Sequence, residues 1–146
     1  MNSDLREFIE SLRSKKVDFL IVGGHAVAFH GYPRYTGDVD VLIRPSVENA
    51  ERLLEVLDGF GFGQLGLTTA DFSSPGRVLQ LGRPPNRIDV LTSISGLDFE
   101  QAWQGRVEGE LGGLPVTFLS RDSLLANKRA SGRPQDLADI AALKDS

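Results

Sequence analysis

The chain has 146 residues, of which 40% are hydrophobic and 25% charged, and its formal net charge is −4. This length predicts one domain, residues 1–146, that buries about two-thirds of the surface of the unfolded chain. The acidic balance opposes a broad electrostatic grip on nucleic acid, and the absence of cysteine excludes disulfides and thiolate metal sites. Because we find no leader peptide and no apolar run of membrane-spanning length, we expect a cytoplasmic protein with no membrane partner.

The first elements of the chain are a helix, a strand and a second helix. Apolar residues at helical spacing predict an amphipathic helix over residues 4–13. A continuous apolar run, residues 19–22, is bounded by Gly23-Gly24 and predicts a buried strand that ends in a tight turn. Residues 25–30 then favour a short helix, which must end before Pro33 because proline cannot continue it.

A second strand, residues 38–43, carries two acidic side chains. Side chains alternate across a strand, so Asp38 and Asp40 share one face while the apolar residues share the other. Adjacent carboxylates repel each other and resist burial, and a divalent cation such as Mg²⁺ or Mn²⁺ is the simplest offset. The alternative is a strand end that bears two solvated aspartates.

The middle of the chain predicts a helix, an irregular segment and a hairpin. Ser46 is a candidate N-cap for a helix that ends near residue 59, and the Gly-, Thr- and Ser-rich residues 61–76 predict a loop or irregular turns. Residues 78–81 and 88–91 alternate like strands joined by a turn. If Leu81 opposes Ile88, Asp89 projects from the face opposite the core. A polar residue on the wet face of a sheet is the other interpretation of Asp89.

The last third of the chain predicts two more strands and three helices. Helical segments are expected at residues 98–104, 120–130 and 134–144, and a hairpin with a type I′ turn at Gly112-Gly113 joins strands at 106–111 and 114–119. Residues 121–133 contain four basic residues and one acidic residue, a local positive charge in an acidic chain.

The order of these features resembles the signature of the DNA polymerase β-like nucleotidyltransferases. A strand, Gly23-Gly24, a short helix, Arg34-X-Thr36 and Asp38-X-Asp40 follow one another, and the pattern is most similar to small bacterial members related to the AbiEii-type toxins. The resemblance implies an α+β fold with a mixed sheet flanked by helices. It also implies that the glycine turn cradles a nucleoside triphosphate by its backbone N–H groups.

The same resemblance assigns roles to the acids. Asp38 and Asp40 match the pair that holds two metal ions, and Asp89 matches a third carboxylate supplied by a later strand. One ion, bridged by Asp38 and Asp40, would hold the triphosphate and neutralise the leaving pyrophosphate, while the other, shared with Asp89, would lower the pKa of the attacking hydroxyl. Asp89 could also act as general base. His25 departs from the pattern, since many relatives place Ser or Thr there to touch phosphate.

Three further residues of the motif, Arg34, Thr36 and Lys128, have two interpretations each. Arg34 could clamp phosphate or form a surface ion pair, and Thr36 more readily satisfies the turn before the strand than touches substrate. Lys128 matches a helical lysine that reaches the nucleotide phosphates, its stem extending outward from a helix anchored by Leu124. Its alternative is a solvated lysine.

Two acids near the end of the chain have a structural interpretation. Asp136 and Asp139 lie in the first turns of the last predicted helix, where the helix dipole favours negative charge. We expect them to pair with Arg129 or Arg133.

These features predict a magnesium-dependent nucleotidyltransferase that moves an NMP group from a nucleoside triphosphate to a hydroxyl on RNA or protein, in a toxin–antitoxin setting. The alternative is a catalytically silent member of the fold that acts as a binding or antitoxin-like subunit. A partner protein or a homodimer could supply the acceptor surface, which larger relatives carry on an extra domain.

A metal site on His25 and His30 is excluded because residues five apart on a helix point about 140° apart. No Walker-type motif occurs, so a P-loop NTPase is unsupported.

Overall fold

The centre of the fold is a six-stranded mixed sheet in a computed structural model that describes residues 3–31, 37–83 and 86–144. Its spatial order is β3-β4-β2-β1-β6-β5. Neighbours β1 and β2, β3 and β4, and β5 and β6 are antiparallel, whereas β2 pairs with β4 and β1 with β6 in parallel. The strands are β1 (Phe19–Val22), β2 (Val39–Ile43), β3 (Val78–Leu81), β4 (Ile88–Leu91), β5 (Val107–Leu111) and β6 (Leu114–Phe118).

Six helices accompany the sheet within the described ranges, which confirms the predicted mixed α+β fold. They are α1 (Ser3–Ser14), α2 (Gly23–Phe29), α3 (Val47–Gly59), α4 (Phe99–Gln104), α5 (Arg121–Ser131) and α6 (Pro134–Lys144). One boundary was predicted wrongly: α2 begins at Gly23, so the diglycine forms the first turn of the helix and does not precede it. Two short 3-10 turns interrupt the irregular segment 61–76, where Phe72 is buried.

The two central strands are almost entirely buried. All four residues of β1 are buried, and in β2 only Asp40 is not fully enclosed. Burying one Val, Leu, Ile or Phe side chain stabilises the folded state by roughly 1.5–3 kcal/mol. The strands that form the middle of the core therefore also fix the backbone on either side of a half-buried carboxylate.

A buried amide ties these central strands together. Asn49 of α3 accepts a hydrogen bond from the Asp18 N–H at 2.7 Å, and it donates to the carbonyl oxygens of Asp18 and Arg44 at 3.1 and 3.0 Å. Asp18 immediately precedes β1 and Arg44 immediately follows β2. Asn49 thus links the start of β1 to the end of β2 and satisfies polar backbone groups that burial would otherwise leave unpaired.

Both predicted hairpins are confirmed in register. Leu81 pairs with Ile88, which places Asp89 across from Gln80 on the side opposite the core. The parallel pairing of β4 with β2 then sets Asp89 beside Asp40. In the second hairpin Gly112 and Gly113 both have positive φ, 57° and 82°, as a type I′ turn requires. Across the described residues, no helix combines the length and apolarity needed to cross a membrane.

Candidate active site

Asp40 is packed directly against the first residue of α2. Gly23 has φ +66°, a conformation that side chains disfavour, and a Cβ atom there would stand 2.8 Å from the Asp40 Cγ and collide with its Oδ2. Glycine is therefore required at this point for two independent reasons. The first glycine of the predicted turn makes room for a carboxylate of the acidic strand.

Asp40 and Asp89 form a carboxyl pair across the parallel strands β2 and β4. Burial, the negative charge of Asp89, a side-chain hydrogen bond with Asp89 and the charge of Asp38 together raise the pKa of Asp40 to about 6. Two carboxyl groups can share a hydrogen bond only when one of them holds a proton. Burial and the neighbouring carboxylates therefore make Asp40 easier to protonate than an ordinary aspartate.

Arg87 is the cation that contacts the acids, and sequence reasoning missed it. Its Nε and Nη2 donate to the two oxygens of Asp89 at 2.7 and 3.1 Å. Its backbone N–H donates to Asp38 Oδ1 at 2.9 Å, and its Nη2 lies 4.0 Å from Asp38 Oδ2. Hydrogen bonding to Asp89 raises the pKa of Arg87 further. The structure thus brings Asp38, Asp40 and Asp89 together, as predicted, with a guanidinium among them.

Lys128 lies at the same site but not as predicted. Its side chain is 7% exposed, and its ammonium lies 3.2 Å from Asp136 Oδ1 and 2.9 Å from Asp139 Oδ2. The expectation of an outward-reaching stem is wrong, and so is the alternative of a solvated lysine, because the packing of α5 on α6 encloses the side chain. Leu124 is buried on α5, as expected of an anchor.

The two late acids have the structural role that was predicted, with partners that were only partly foreseen. Asp136 accepts from Arg133 Nε at 2.7 Å and from its Nη2 at 3.1 Å, whereas Asp139 accepts from Gln135 at 2.9 Å as well as binding Lys128. Hydrogen bonding to Arg133 holds the pKa of Asp136 well below its usual range. Arg133 itself has a 73% exposed side chain at the rim of the site.

His25 touches the acidic strand through the main chain. Its ring forms a hydrogen bond with the Asp38 backbone, and burial lowers its pKa, so the ring is neutral at physiological pH. Its buried Nε2 has no hydrogen-bond partner among the described residues. His30 instead donates from Nε2 to the Leu119 carbonyl oxygen at 2.7 Å, so the two histidines are engaged separately. Arg34 and Thr36 lie outside the described residues.

Two adjoining cavities open over the acids. Gly23, Asp40, Asp89, Lys128 and Arg133 line both of them. One cavity, of about 370 Å³, has three further charged residues in its lining and is called the charged cavity below; its remaining lining residues are Gly24, Asp38, Arg87, Gln135 and Asp136. The other, of about 500 Å³, is neutral on its far side and includes the lining residues Val22, Leu91, Ser93, Ile94, Ser95, Asn127 and Ser131.

The donor chemistry at the site suits a hard divalent cation. Carboxylate oxygens are the ligands Mg²⁺ and Mn²⁺ prefer, and burial together with the charges of Asp89 and Asp38 raises the pKa of Asp40, an effect that a bound cation would oppose. Within the described ranges, no three acidic or histidine side chains are yet arranged as a complete metal-binding group. Asp40 and Asp89 are the residues that would hold a cation, with Asp38 beside them.

The six-stranded mixed sheet with its flanking helices is a fold found in solved nucleotidyltransferases. Solved structures with this fold include the antibiotic-resistance factor ANT(2'')-Ia, with TM-score 0.61, 15% identity and 97% of this chain aligned to 80% of that chain. A nucleotidyltransferase from Thermotoga maritima matches with TM-score 0.56, 15% identity, and 98% and 89% coverage. The lincosamide antibiotic adenylyltransferase LnuA matches with TM-score 0.58, 14% identity, and 99% and 96% coverage.

Those identities show the fold alone, and the family is shown by sequence. The chain belongs to the family described as nucleotidyltransferase of unknown function (DUF6036), whose profile matches residues 3–144. No curated protein matches the chain. The family and the fold confirm the predicted resemblance to small nucleotidyltransferases and identify the chain as a member of an enzyme class.

Proposed function

We propose that the chain transfers an NMP group from a nucleoside triphosphate to a hydroxyl, using Mg²⁺ or Mn²⁺ held by Asp38, Asp40 and Asp89. The parallel register that sets Asp40 beside Asp89 carries this proposal. It places two carboxylates at the junction of two cavities, where a reacting phosphate could meet both a nucleotide and an acceptor.

The chain supplies negative and positive charge on different elements of the site. When bound, the cation would neutralise the carboxylates and the phosphates and lower the pKa of the attacking hydroxyl. Lys128 and Arg133 line both cavities, and their ion pairs with Asp136 and Asp139 keep this part of the lining from repelling a triphosphate. Gly23 and Gly24 leave the backbone of α2 accessible to the charged cavity, as a phosphate cradle would need. In this proposal Asp89 would accept the proton of an attacking hydroxyl at a carboxylate oxygen that Arg87 has released.

The acceptor of the NMP group is proposed from the sequence pattern and not from the solved structures of the same fold. ANT(2'')-Ia has been solved with adenylyl-2''-tobramycin and LnuA with lincomycin, so proteins of this fold modify small molecules. For this chain an RNA or protein hydroxyl remains the prediction, in a toxin–antitoxin setting and with a partner protein or second copy that supplies acceptor surface.

The proposal is tested by incubating the protein with each labelled NTP, Mg²⁺ or Mn²⁺, and total cellular RNA or protein. We expect label in one macromolecular fraction with the wild type and none with Asp40→Asn. Asp122→Asn, which changes an exposed acid in the first turn of α5, is the matched control and should retain transfer.

Three outcomes separate the alternatives. Label in RNA or in protein identifies the acceptor class. Mg²⁺–NTP binding that depends on Asp40 but gives no transfer to any fraction would favour the catalytically silent binding subunit. Mg²⁺–NTP affinity that is equal in the wild type and in Asp40→Asn would overturn the metal-site assignment.

A further inference from the structure

Arg87 holds the carboxylate that a cation would need. Its guanidinium donates to both oxygens of Asp89 in a bidentate arrangement, at 2.7 and 3.1 Å. A bidentate arginine–carboxylate pair is among the strongest arrangements available to a carboxylate. Asp89 is therefore engaged on both oxygens by the side chain of the residue that immediately precedes β4.

The charge balance of the site explains why an arginine is stable there. Asp38, Asp40 and Asp89 bring three carboxyl groups together; the Arg87 guanidinium donates to Asp89 and lies 4.0 Å from Asp38 Oδ2, while its backbone N–H donates to Asp38. Without a counter-ion such a cluster is costly, because like charges repel in a partly desolvated site. The guanidinium thus neutralises the acids in the same way that a metal ion would.

The surroundings allow the guanidinium to leave. The Arg87 side chain is 28% exposed and borders the charged cavity of about 370 Å³ together with Gly23 and Gly24. Phosphate oxygens, if present there, would offer the guanidinium a new bidentate partner.

We infer that Arg87 is a positioning residue that occupies Asp89 as an internal counter-ion, and that a divalent cation binds only by displacing it. The inference rests on the proposed function, since it assumes that Asp89 serves a metal. If a cation must displace Arg87, the protein binds metal weakly by itself and more tightly together with a nucleoside triphosphate. The reason is that phosphate oxygens replace Asp89 as the hydrogen-bond partner of the Arg87 guanidinium. Metal and nucleotide binding are then positively coupled.

The test is a titration with Mn²⁺ in the absence of nucleotide, monitored by the electron paramagnetic resonance signal of the free ion. Arg87→Gln should bind Mn²⁺ at least about tenfold more tightly than the wild type, within the range usual for coupled sites. Arg87→Lys keeps the charge but loses the bidentate fork, and it should also bind more tightly than the wild type. Arg83→Gln removes an exposed arginine from the same hairpin and should leave the affinity unchanged. A thermal melt of each variant verifies that it is folded.

Two results would overturn the inference. Unchanged or weaker Mn²⁺ binding in Arg87→Gln would show that the guanidinium does not compete with the cation. Wild-type affinity in Arg87→Lys, with tighter binding in Arg87→Gln, would show that net charge alone accounts for the effect. If Arg87→Gln does not fold, Arg87→Lys decides the matter by itself.

A second titration with a non-hydrolysable NTP separates this inference from the proposed function. If Mn²⁺ binds with the nucleotide and Asp40→Asn abolishes that binding, the metal site stands whatever Arg87 does. If neither the wild type nor any Arg87 variant binds Mn²⁺ with or without nucleotide, the proposed function itself fails. The expected wild-type pattern is weak binding of Mn²⁺ alone and strong binding with the nucleotide.

Discussion

Replacing Lys128 by methionine tests the buried ion pairs between α5 and α6. Lys128→Met keeps most of the side-chain volume but removes the ammonium that lies between Asp136 and Asp139. Those carboxylates are 1% and 0% exposed, so the variant leaves negative charge in the interior. The perturbation is thus electrostatic, with little change in packing.

The size of the effect follows from burial. Removing one partner of a buried ion pair costs about 3–5 kcal/mol, whereas an exposed pair contributes about 0–1 kcal/mol. Asp136 retains its hydrogen bonds to Arg133, so we expect the lower end, about 3 kcal/mol. With a urea m-value of about 1–3 kcal/mol/M, the unfolding midpoint should fall by about 1–3 M.

A double-mutant cycle attributes the loss to the ion pair. We expect Lys128→Met combined with Asp139→Asn to be less destabilising than the sum of the two single changes, by about 1–3 kcal/mol. Urea unfolding followed by circular dichroism measures all four proteins. A loss below about 1 kcal/mol for Lys128→Met, or strict additivity in the cycle, would refute a buried, paired lysine.

Three further predictions concern the acids and the glycine beside them. Gly23→Ala should lose stability by at least roughly 1–2 kcal/mol because of the left-handed φ at this position alone, and it should weaken Mg²⁺–NTP binding by displacing Asp40. The control is Gly59→Ala, whose Cβ would meet no atom within 4 Å. Equal losses of stability for the two variants in thermal melts would contradict this prediction. The folded-state pKa of Asp40, about 6, exceeds its ordinary value of 3.8, so in a chelator the wild type should gain stability as pH falls from 7.5 towards 4; Asp40→Asn should lack this gain. Asp136 has the opposite sign: its pKa is lowered, so its stabilisation is complete above about pH 4 and is lost as pH falls further. The free energy of unfolding of Asp136→Asn should therefore fall less steeply than that of the wild type as pH drops below about 4. An equally steep fall in both proteins would show that Asp136 does not contribute to the acid sensitivity.

The strand face on which each acid of the pair lies could be predicted from sequence, because alternation along a strand is a local pattern. Alternation along β2 oriented Asp40, and the pairing of Leu81 with Ile88 oriented Asp89. Setting the two side by side needed the additional information that β4 lies beside β2, which the family resemblance implied; the structure adds that this pairing is parallel. Period-2 patterning thus predicts faces, while the order of strands needs knowledge of the whole sheet.

The environment of the basic residues could not be predicted in the same way. Burial of Lys128 depends on how α6 packs across α5, which no local pattern encodes. Arg87 did carry a signal, because it lies two residues before Asp89 and so shares its strand face, but turn chemistry obscured it. The start of α2 was misplaced because glycine ordinarily terminates helices, whereas Gly23 lies where a carboxylate excludes any side chain.

The direct pairing of β2 with β4 also determines where the chain can change in length. An additional residue within β4 would shift its register and turn Asp89 towards the core, which would destroy the acid pair. An additional residue near Gly66, whose surroundings are open, would only lengthen the segment between α3 and β3. Because each doubling of a loop costs only about 0.6 kcal/mol, that segment could accept insertions that alter the outer surface of the protein and preserve its chemistry.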